Sequence, residues 1–205
     1  SNCDHDAYHV CRKVLGQDAV FLWHKDADLK DVDVVVLPGG FSYGDYLRCG
    51  AIARFSPVMR EVTRFAEAGG LVLGICNGFQ ILVEAGLVPG GAPGDDRITL
   101  ALAVNRLPDR DGYLSRWVTL EARTGSLWTE AYAPGERIPM PMAHGEGRFT
   151  ARDPRRLGEE RLGLDTLHPS GPQPGGLLLR ECRPRQQDDG SQHGHADQDG
   201  VAFHG

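Results

Sequence analysis

The alternation of apolar and polar positions predicts helices alternating with strands in the first part of the chain. Short apolar runs at 19–23, 33–37 and 71–75 are typical of buried strands. Apolar residues three and four apart predict two amphipathic helices, one over Ala7–Leu15 that stops at Gly16 and one from Ser56-Pro57 to Gly69-Gly70. We therefore expect an α/β fold with an open, mostly parallel sheet and helices on both faces.

The composition changes near residue 150, and this change predicts the domain organisation. Residues 1–150 carry the regular pattern, whereas residues 151–205 are rich in Gly, Pro, Arg, Gln, Asp and His. Within that tail only Leu177-Leu178-Leu179 resembles a strand, and 186–200 is close to low complexity. We expect one folded domain over 1–150 followed by an atypical tail that is poorly able to bury a core.

Charge and cysteine usage exclude several classes of function. The net charge is −6 and no long basic tract is present, so nucleic acid and anionic membranes are not expected partners. The apolar runs are far shorter than the roughly 20 residues of a membrane span, and no secretory signal opens the sequence. The lack of a signal predicts a cytoplasmic location by default, and five cysteines without paired spacing predict no metal site and reduced thiols, one of them reactive.

One of these cysteines has the surroundings of a nucleophile. Cys76 follows the third predicted strand, and Gly74 and Gly78 flank it with the small residues that a sharp strand-to-helix turn requires. A thiol there lies at a helix N-terminus, where free amides favour negative charge. The amides of Asn77 and Gly40 could stabilise the oxyanion of an acyl-transfer intermediate. The alternative is a tight connection that carries a buried, inert Cys.

Three segments in order carry a family resemblance. They are Leu37-Pro38-Gly39-Gly40-Phe41-Ser42-Tyr43-Gly44-Asp45-Tyr46-Leu47-Arg48-Cys49-Gly50-Ala51-Ile52-Ala53, then Gly74 to Gln80, then Pro141 to Gly147. Together they resemble the glutaminase subunits of phosphoribosylformylglycinamidine synthase, which are class I (triad) glutamine amidotransferases of flavodoxin-like α/β fold. The resemblance extends from Ser1 to about Phe149 and is looser between Gly90 and Tyr113.

The resemblance implies roles for individual residues. Cys76 would attack the side-chain amide of glutamine, and Gly40 and Asn77 would line the oxyanion hole. Phe41, Gln80, His144 and Glu146 would help to bind glutamine. Two of these have plain alternatives: Gln80 as an ordinary residue of the first helical turn, and His144 as a solvent-facing loop histidine.

The resemblance also implies partners. Ammonia would pass to a synthetase subunit that aminates formylglycinamide ribonucleotide, with a small accessory subunit in the assembly. ATP and magnesium would belong to that synthetase, and no cofactor is expected on this chain, which lacks a Gly-x-x-x-x-Gly-Lys-Ser/Thr phosphate loop. Two other functions stay open: an impaired subunit that only docks on the synthetase, and a cysteine hydrolase of the same fold.

Two parts of the family pattern are missing. The sequence begins after the family's first strand, and the terminal segment that supplies the triad histidine and glutamate is not found. Leu167-His168-Pro169-Ser170 has the His-Pro pair without a following Glu, and we assign the base to none of His193, His195 and His204. An altered reading frame near residues 150–160 is one hypothesis for this change. It predicts that the corrected gene encodes a His-Pro-Glu segment.

Overall fold

The computed structural model describes residues 1–89, 100–122 and 127–151, together with three strands at 165–168, 171–173 and 200–204. The chain forms two compact units. The first comprises Ser1–Ile98 and Cys182–Gly205, and the second comprises Thr99–Glu181. In the described part of the chain no helix is both long and apolar enough to cross a membrane.

The first unit contains a four-stranded sheet. Its spatial order is β1 (Asp18–Leu22), β10 (Gly200–His204), β2 (Val34–Leu37) and β3 (Leu71–Gly74). β2 and β3 pair in parallel, with Val34 opposite Leu71 and Leu37 opposite Gly74. β10 is antiparallel to both β1 and β2. Therefore β1, β2 and β3 all run in the same direction, and β10 runs in the opposite direction between β1 and β2. The sequence pattern did not predict this insertion.

Helices cover both faces of the sheet, as the sequence predicted. On one face, α2 (Pro57–Glu67) and α3 (Asn77–Glu84) pack against the alternate strand residues Val35 and Leu37. On the other face, α1 (Asp4–His9) packs against the cluster that contains Val34 and Val36. Since successive strand residues point to opposite faces, the apolar run at 34–37 is buried from both sides.

The first helix differs from its predicted form. α1 ends at His9 and continues as a π turn over Val10–Val14, closed by the Leu15 amide donating to the Val10 carbonyl at 2.9 Å. A π turn has more residues per turn than an α-helix, so the three- and four-residue spacing no longer defines one face. Cys11 is buried, whereas Val14 and Leu15 are 67% and 59% exposed. The predicted apolar stripe is therefore only partly used.

The second unit is built from antiparallel strands. β4 (Leu100–Val104) pairs with β7 (Glu146–Ala151), and a four-stranded sheet has the order β6 (Arg137–His144), β5 (Leu114–Glu121), β8 (Asp165–His168) and β9 (Gly171–Gln173). Three strands, β8, β9 and β10, thus lie in the region expected to be an atypical tail. The predicted strand at 177–179 lies outside the described residues.

Candidate active site

Cys76 occupies a strained turn between β3 and α3. Its backbone has φ +51° and ψ −110°, a conformation that residues with a side chain rarely adopt. The turn directs the thiol outward, and Cys76 is exposed although Asn77, the next residue, is fully buried. The predicted sharp strand-to-helix turn is confirmed, and the alternative in which Cys76 is buried is wrong.

The two flanking glycines make this turn possible. A Cβ on Gly74 would lie 2.8 Å from the backbone nitrogen of Phe79, and a Cβ on Gly78 would overlap the Leu37 carbonyl. Both contacts involve backbone atoms, which cannot move aside cheaply. The requirement for small residues at these two positions, predicted from the sequence, is thus confirmed.

The loop that follows β2 lies directly against Cys76. The Ile75 amide donates to the Leu37 carbonyl at 2.9 Å, and a Cβ on Gly39 would lie 3.2 Å from the Cys76 Cβ. Gly40 has φ +105°, and a Cβ there would overlap the Asn2 Oδ1. The two glycine-bearing loops therefore meet at the carboxyl ends of β2 and β3, as expected for an open α/β sheet.

Two backbone amides near the thiol have no hydrogen-bond partner among the described residues. In the described part of the chain, neither the Gly40 amide nor the Asn77 amide donates a hydrogen bond to another protein group. The neighbouring amides are engaged: Phe41 N donates to Asn2 Oδ1 at 2.8 Å, and Gly78 N donates to the Ile75 carbonyl at 2.8 Å. Unpaired amides beside a nucleophile are the donors that an oxyanion requires.

The segment after Gly40 is attached to α3 by an ion pair, a hydrogen bond and close packing. Arg48 forms a bidentate ion pair with the buried Glu84 at 2.9 and 2.7 Å. Arg54 donates to the Glu84 carbonyl at 2.8 Å, and a Cβ on Gly50 would lie 2.7 Å from the Ile81 amide nitrogen. Phe41, at the start of this segment, is 67% exposed. These contacts fix residues 48–54, which follow the Phe41–Asp45 loop, against α3.

A cavity of about 200 Å³ adjoins the same loop on the side of α2. Its lining includes Pro38, Phe41 and Tyr43 from the loop, and Met59 and Val62 from α2. Cys76 is not part of this lining, so the cavity is distinct from the surface on which the thiol is exposed.

Gln80 lies inside the protein. It is 9% exposed, and its Oε1 accepts a hydrogen bond from Asn77 Nδ2 at 3.1 Å. The structure therefore places the Gln80 side chain beneath the turn, in contact with the residue that follows Cys76. The observed hydrogen-bond partner of its Oε1 is Asn77. Its contact with glutamine stays a prediction.

His144 and Glu146 lie in the second unit, on either side of Gly145 between β6 and β7. Asn105, which sequence reasoning missed, organises this turn. Its Oδ1 accepts from the Gly147 amide at 3.1 Å, and its Nδ2 donates to the His144 carbonyl at 2.8 Å and lies 3.0 Å from His144 Nδ1. Because Oδ1 is fixed by an amide donor, Nδ2 must face the ring, and Nδ1 acts as the acceptor. His144 is then neutral, with its proton on Nε2.

Burial lowers the pKa of His144 below its ordinary value of 6.5. The imidazole is half-buried and hydrogen-bonded to Asn105, so the alternative of a solvent-facing loop histidine does not describe it. A lone Asn after a strand is a weak sequence signal, which explains why Asn105 was not predicted.

The triad base stays unassigned. His193 and His195 lie outside the described residues, as do the side chains of His168 and His204. Within the described ranges, no group of three or more His, Cys, Asp or Glu side chains is arranged to hold a metal ion.

Replacing Gly78 by Ala should destabilise the turn. The added methyl group would overlap a backbone carbonyl, so we expect the free energy of unfolding in a urea titration to fall by about 1–3 kcal/mol. Gly145→Ala is the matched control, because the nearest atom to its Cβ is 4.0 Å away, and it should stay within about 0.5 kcal/mol of the parent. Equal effects of the two changes would contradict the packing described.

The lowered pKa of His144 predicts a pH effect on stability. The unfolded chain binds a proton to this histidine near pH 6.5, whereas the folded chain binds it only at lower pH, so stability falls as pH drops below about 6.5. An NMR titration of the imidazole should show a midpoint below 6.5, and His144→Gln should lose less thermal stability between pH 7.5 and 5.5 than the parent does. A midpoint at or above 6.5 would contradict the burial.

The geometry agrees with what comparisons with known proteins find. Residues 1–162 match the family model of the CobB/CobQ-like glutamine amidotransferase domain. The match ends close to the position where the composition changes.

Curated relatives are similar over most of their length. The chain is 52% identical over 178 residues to the phosphoribosylformylglycinamidine synthase subunit PurQ of Trichormus variabilis, covering 87% of this chain and 74% of that protein. It is 51% identical over 184 residues to the same subunit of Acaryochloris marina, covering 90% of this chain and 68% of that protein.

A solved structure is similar in fold. The structure of PurLQS from Thermotoga maritima contains a chain that is 35% identical, with a TM-score of 0.67, over 85% of this chain and 73% of that one. Both sequence and fold therefore place this chain in the CobB/CobQ-like glutamine amidotransferase family, among the PurQ subunits of phosphoribosylformylglycinamidine synthase.

Proposed function

We propose that this chain hydrolyses glutamine at Cys76 and delivers ammonia to a synthetase subunit, which converts formylglycinamide ribonucleotide to formylglycinamidine ribonucleotide in purine biosynthesis. The observation that carries the proposal is the exposed thiol of Cys76 near the amides of Gly40 and Asn77, which have no hydrogen-bond partner within the described residues. The relatives named PurQ, at 52% and 51% identity, support this reaction over a cysteine hydrolase of another specificity.

The geometry suits a two-step acyl transfer. In the first step the Cys76 sulfur bonds to the side-chain carbonyl carbon of glutamine, the carbon–nitrogen bond breaks, and ammonia leaves after gaining a proton. In the second step water attacks the thioester, which releases glutamate and restores the thiol. Each step passes through a tetrahedral oxyanion, and the amides of Gly40 and Asn77 would donate to it.

Substrate-binding roles follow from the family resemblance and the exposure of each side chain. Phe41 is exposed on the loop beside the thiol, and its ring would form a wall of the glutamine pocket. His144 would offer Nε2–H as a donor and Glu146 a carboxylate as an acceptor, in keeping with the family resemblance of their loop. Gln80 would contribute indirectly, because its Oε1 is bonded to Asn77.

The exposed apolar surface beside the site supports docking on a synthetase. Four large apolar side chains in seven residues are exposed: Phe41 by 67%, Tyr43 by 46%, Tyr46 by 87% and Leu47 by 74%. Ile75, directly before the nucleophile, is 44% exposed. Clustered exposed apolar residues are typical of protein interfaces. A partner on this surface would cover the site and receive ammonia before it reaches bulk water.

The remaining components follow from the same proposal. A small accessory subunit would complete the assembly, in keeping with the letters L, Q and S in the name PurLQS of the Thermotoga maritima protein. ATP and magnesium would bind to the synthetase, and this chain would need no cofactor of its own. The assembly would work in the cytoplasm.

Replacing Cys76 by Ala should abolish glutaminase activity. We expect ammonia release from glutamine, measured on the full chain together with its synthetase subunit, to fall by at least about 10³-fold, because Cys76 supplies the sulfur that forms the thioester with glutamine. Cys11→Ala is the matched control, since burial raises the pKa of the Cys11 thiol to about 11 and keeps it protonated. A parent no more active than Cys76→Ala would instead identify a subunit that only docks.

Placing a charge in the exposed apolar segment should weaken assembly. Leu47→Asp would bury a carboxylate at the proposed interface, so we expect the Kd for the synthetase subunit, measured by titration calorimetry, to rise at least tenfold. Leu15→Asp serves as the matched control, because Leu15 is 59% exposed on a different element. An equal effect of the two substitutions would contradict docking through this surface.

A further inference from the structure

The side chain of Asn77 connects three separate segments around the nucleophile. It is fully buried, at 0% exposure, although it directly follows the exposed Cys76. Its Oδ1 lies 3.2 Å from Ser1 Oγ, which also lies within hydrogen-bonding distance of the Gly39 carbonyl. Its Nδ2 donates to Gln80 Oε1 at 3.1 Å and to the Asp45 carboxylate at 3.3 Å. One amide group therefore links the thiol turn to Ser1, to the loop after β2 and to α3.

Asp45 fixes the orientation of that amide group. A carboxylate accepts hydrogen bonds and donates none, so the Asn77 nitrogen must face Asp45 and the Asn77 oxygen must face Ser1. The two protons on Nδ2 are then both used, one on Asp45 and one on Gln80. Both donors of this buried amide group have acceptors, so a rotation of the group would leave a donor unpaired.

Asp45 itself is held in an uncommon backbone conformation. Tyr43, Gly44 and Asp45 have φ of +53°, +68° and +48°, so three consecutive residues lie in the left-handed region. The Asp45 carboxylate also accepts from Ser42 Oγ at 3.4 Å and from the Gly50 amide at 3.3 Å. Non-glycine residues keep such a conformation only where surrounding contacts favour it, and such strain often occurs at functional sites. Here those contacts bring the carboxylate to Asn77.

We propose that Asp45 is a positioning residue, which acts through the Asn77 side chain to hold the Asn77 amide and the Gly39–Gly40 loop in the geometry that accepts an oxyanion. Asp45 need not touch the substrate for this role. The inference rests on the proposed function in that the Asn77 amide stabilises the intermediate. It adds Asp45 as the residue that keeps the Asn77 amide and the Gly39–Gly40 loop in their relative positions.

The test separates oxyanion stabilisation from nucleophilicity by using two reagents on the full-length chain. With p-nitrophenyl acetate, the Cys76 sulfur bonds to the acyl carbon through a tetrahedral oxyanion, the ester carbon–oxygen bond breaks, p-nitrophenolate leaves and the thiol proton goes to solvent. With iodoacetamide, the sulfur displaces iodide from carbon, the thiol proton again goes to solvent, and no oxyanion forms. The rates measured for Cys76→Ala are subtracted, which removes the contribution of exposed Cys3.

Asp45→Ala should slow acetylation by about 10- to 100-fold and leave alkylation within about twofold of the parent, because only the first reaction uses the positioned amides. Asp45→Asn keeps an oxygen that can accept from Asn77, so it should restore acetylation to within about threefold of the parent. Asp31→Ala is the matched control, since Asp31 has a similar φ of +52° and is exposed on another loop, and both rates should be unchanged.

Equal loss of both rates, or no loss of either, would overturn the proposal. If Asp45→Ala does not fold, as judged by near-ultraviolet circular dichroism, Asn77→Asp replaces it. This variant sets two carboxylates against each other without changing the backbone amide, and the same selective loss of acetylation is expected. The outcome is independent of glutamine turnover: selective loss in a chain that does not release ammonia would support Asp45 and contradict the glutaminase proposal. Ammonia release by the parent, combined with equal loss or no loss of the two rates in Asp45→Ala, would contradict only the role of Asp45.

Discussion

The backbone of Cys76 is held with φ at +51°, and the rest of the site depends on that constraint. Such a conformation is unfavourable for a residue with a side chain, and it persists because β3, α3 and the loop after β2 approach closely around it. Gly39, Gly74 and Gly78 allow that approach, since a Cβ on any of them would meet Cys76, Phe79 or Leu37. The result is a thiol that is exposed while the adjoining backbone is fixed.

The environment of each thiol determines what it can do. Cys11 packs in the cluster beneath α1, where burial raises its pKa to about 11 and keeps it inert at neutral pH. Cys76 lies in the same α/β unit, yet it is exposed near two amides that have no partner in the part of the chain that the structure describes. Composition alone cannot separate these two residues. Backbone geometry separates them, because it decides which side chain faces solvent at a helix N-terminus.

The sequence predicted the features that depend on local steric rules. The glycines around Cys76, the strand runs predicted at 33–37 and 71–75 and observed at 34–37 and 71–74, and the helix that starts at Pro57 follow from residue size, β-branching and proline geometry. The missed features depend on contacts distant in sequence. β10 pairs between β1 and β2 across more than 160 residues, Asn105 fixes His144, and Asp45 fixes Asn77. Such pairings leave no periodic signal in a single sequence.

Labelling with a chloroketone analogue of glutamine tests the central claim most directly. The full chain, bound to its synthetase subunit, would be treated with the analogue and each cysteine assayed by peptide mass spectrometry. We expect one label per chain, on Cys76, that excess glutamine prevents, with exposed Cys3 unmodified. Labelling of Cys3 and Cys76 at equal rates, or labelling of Cys76 that glutamine does not slow, would contradict it.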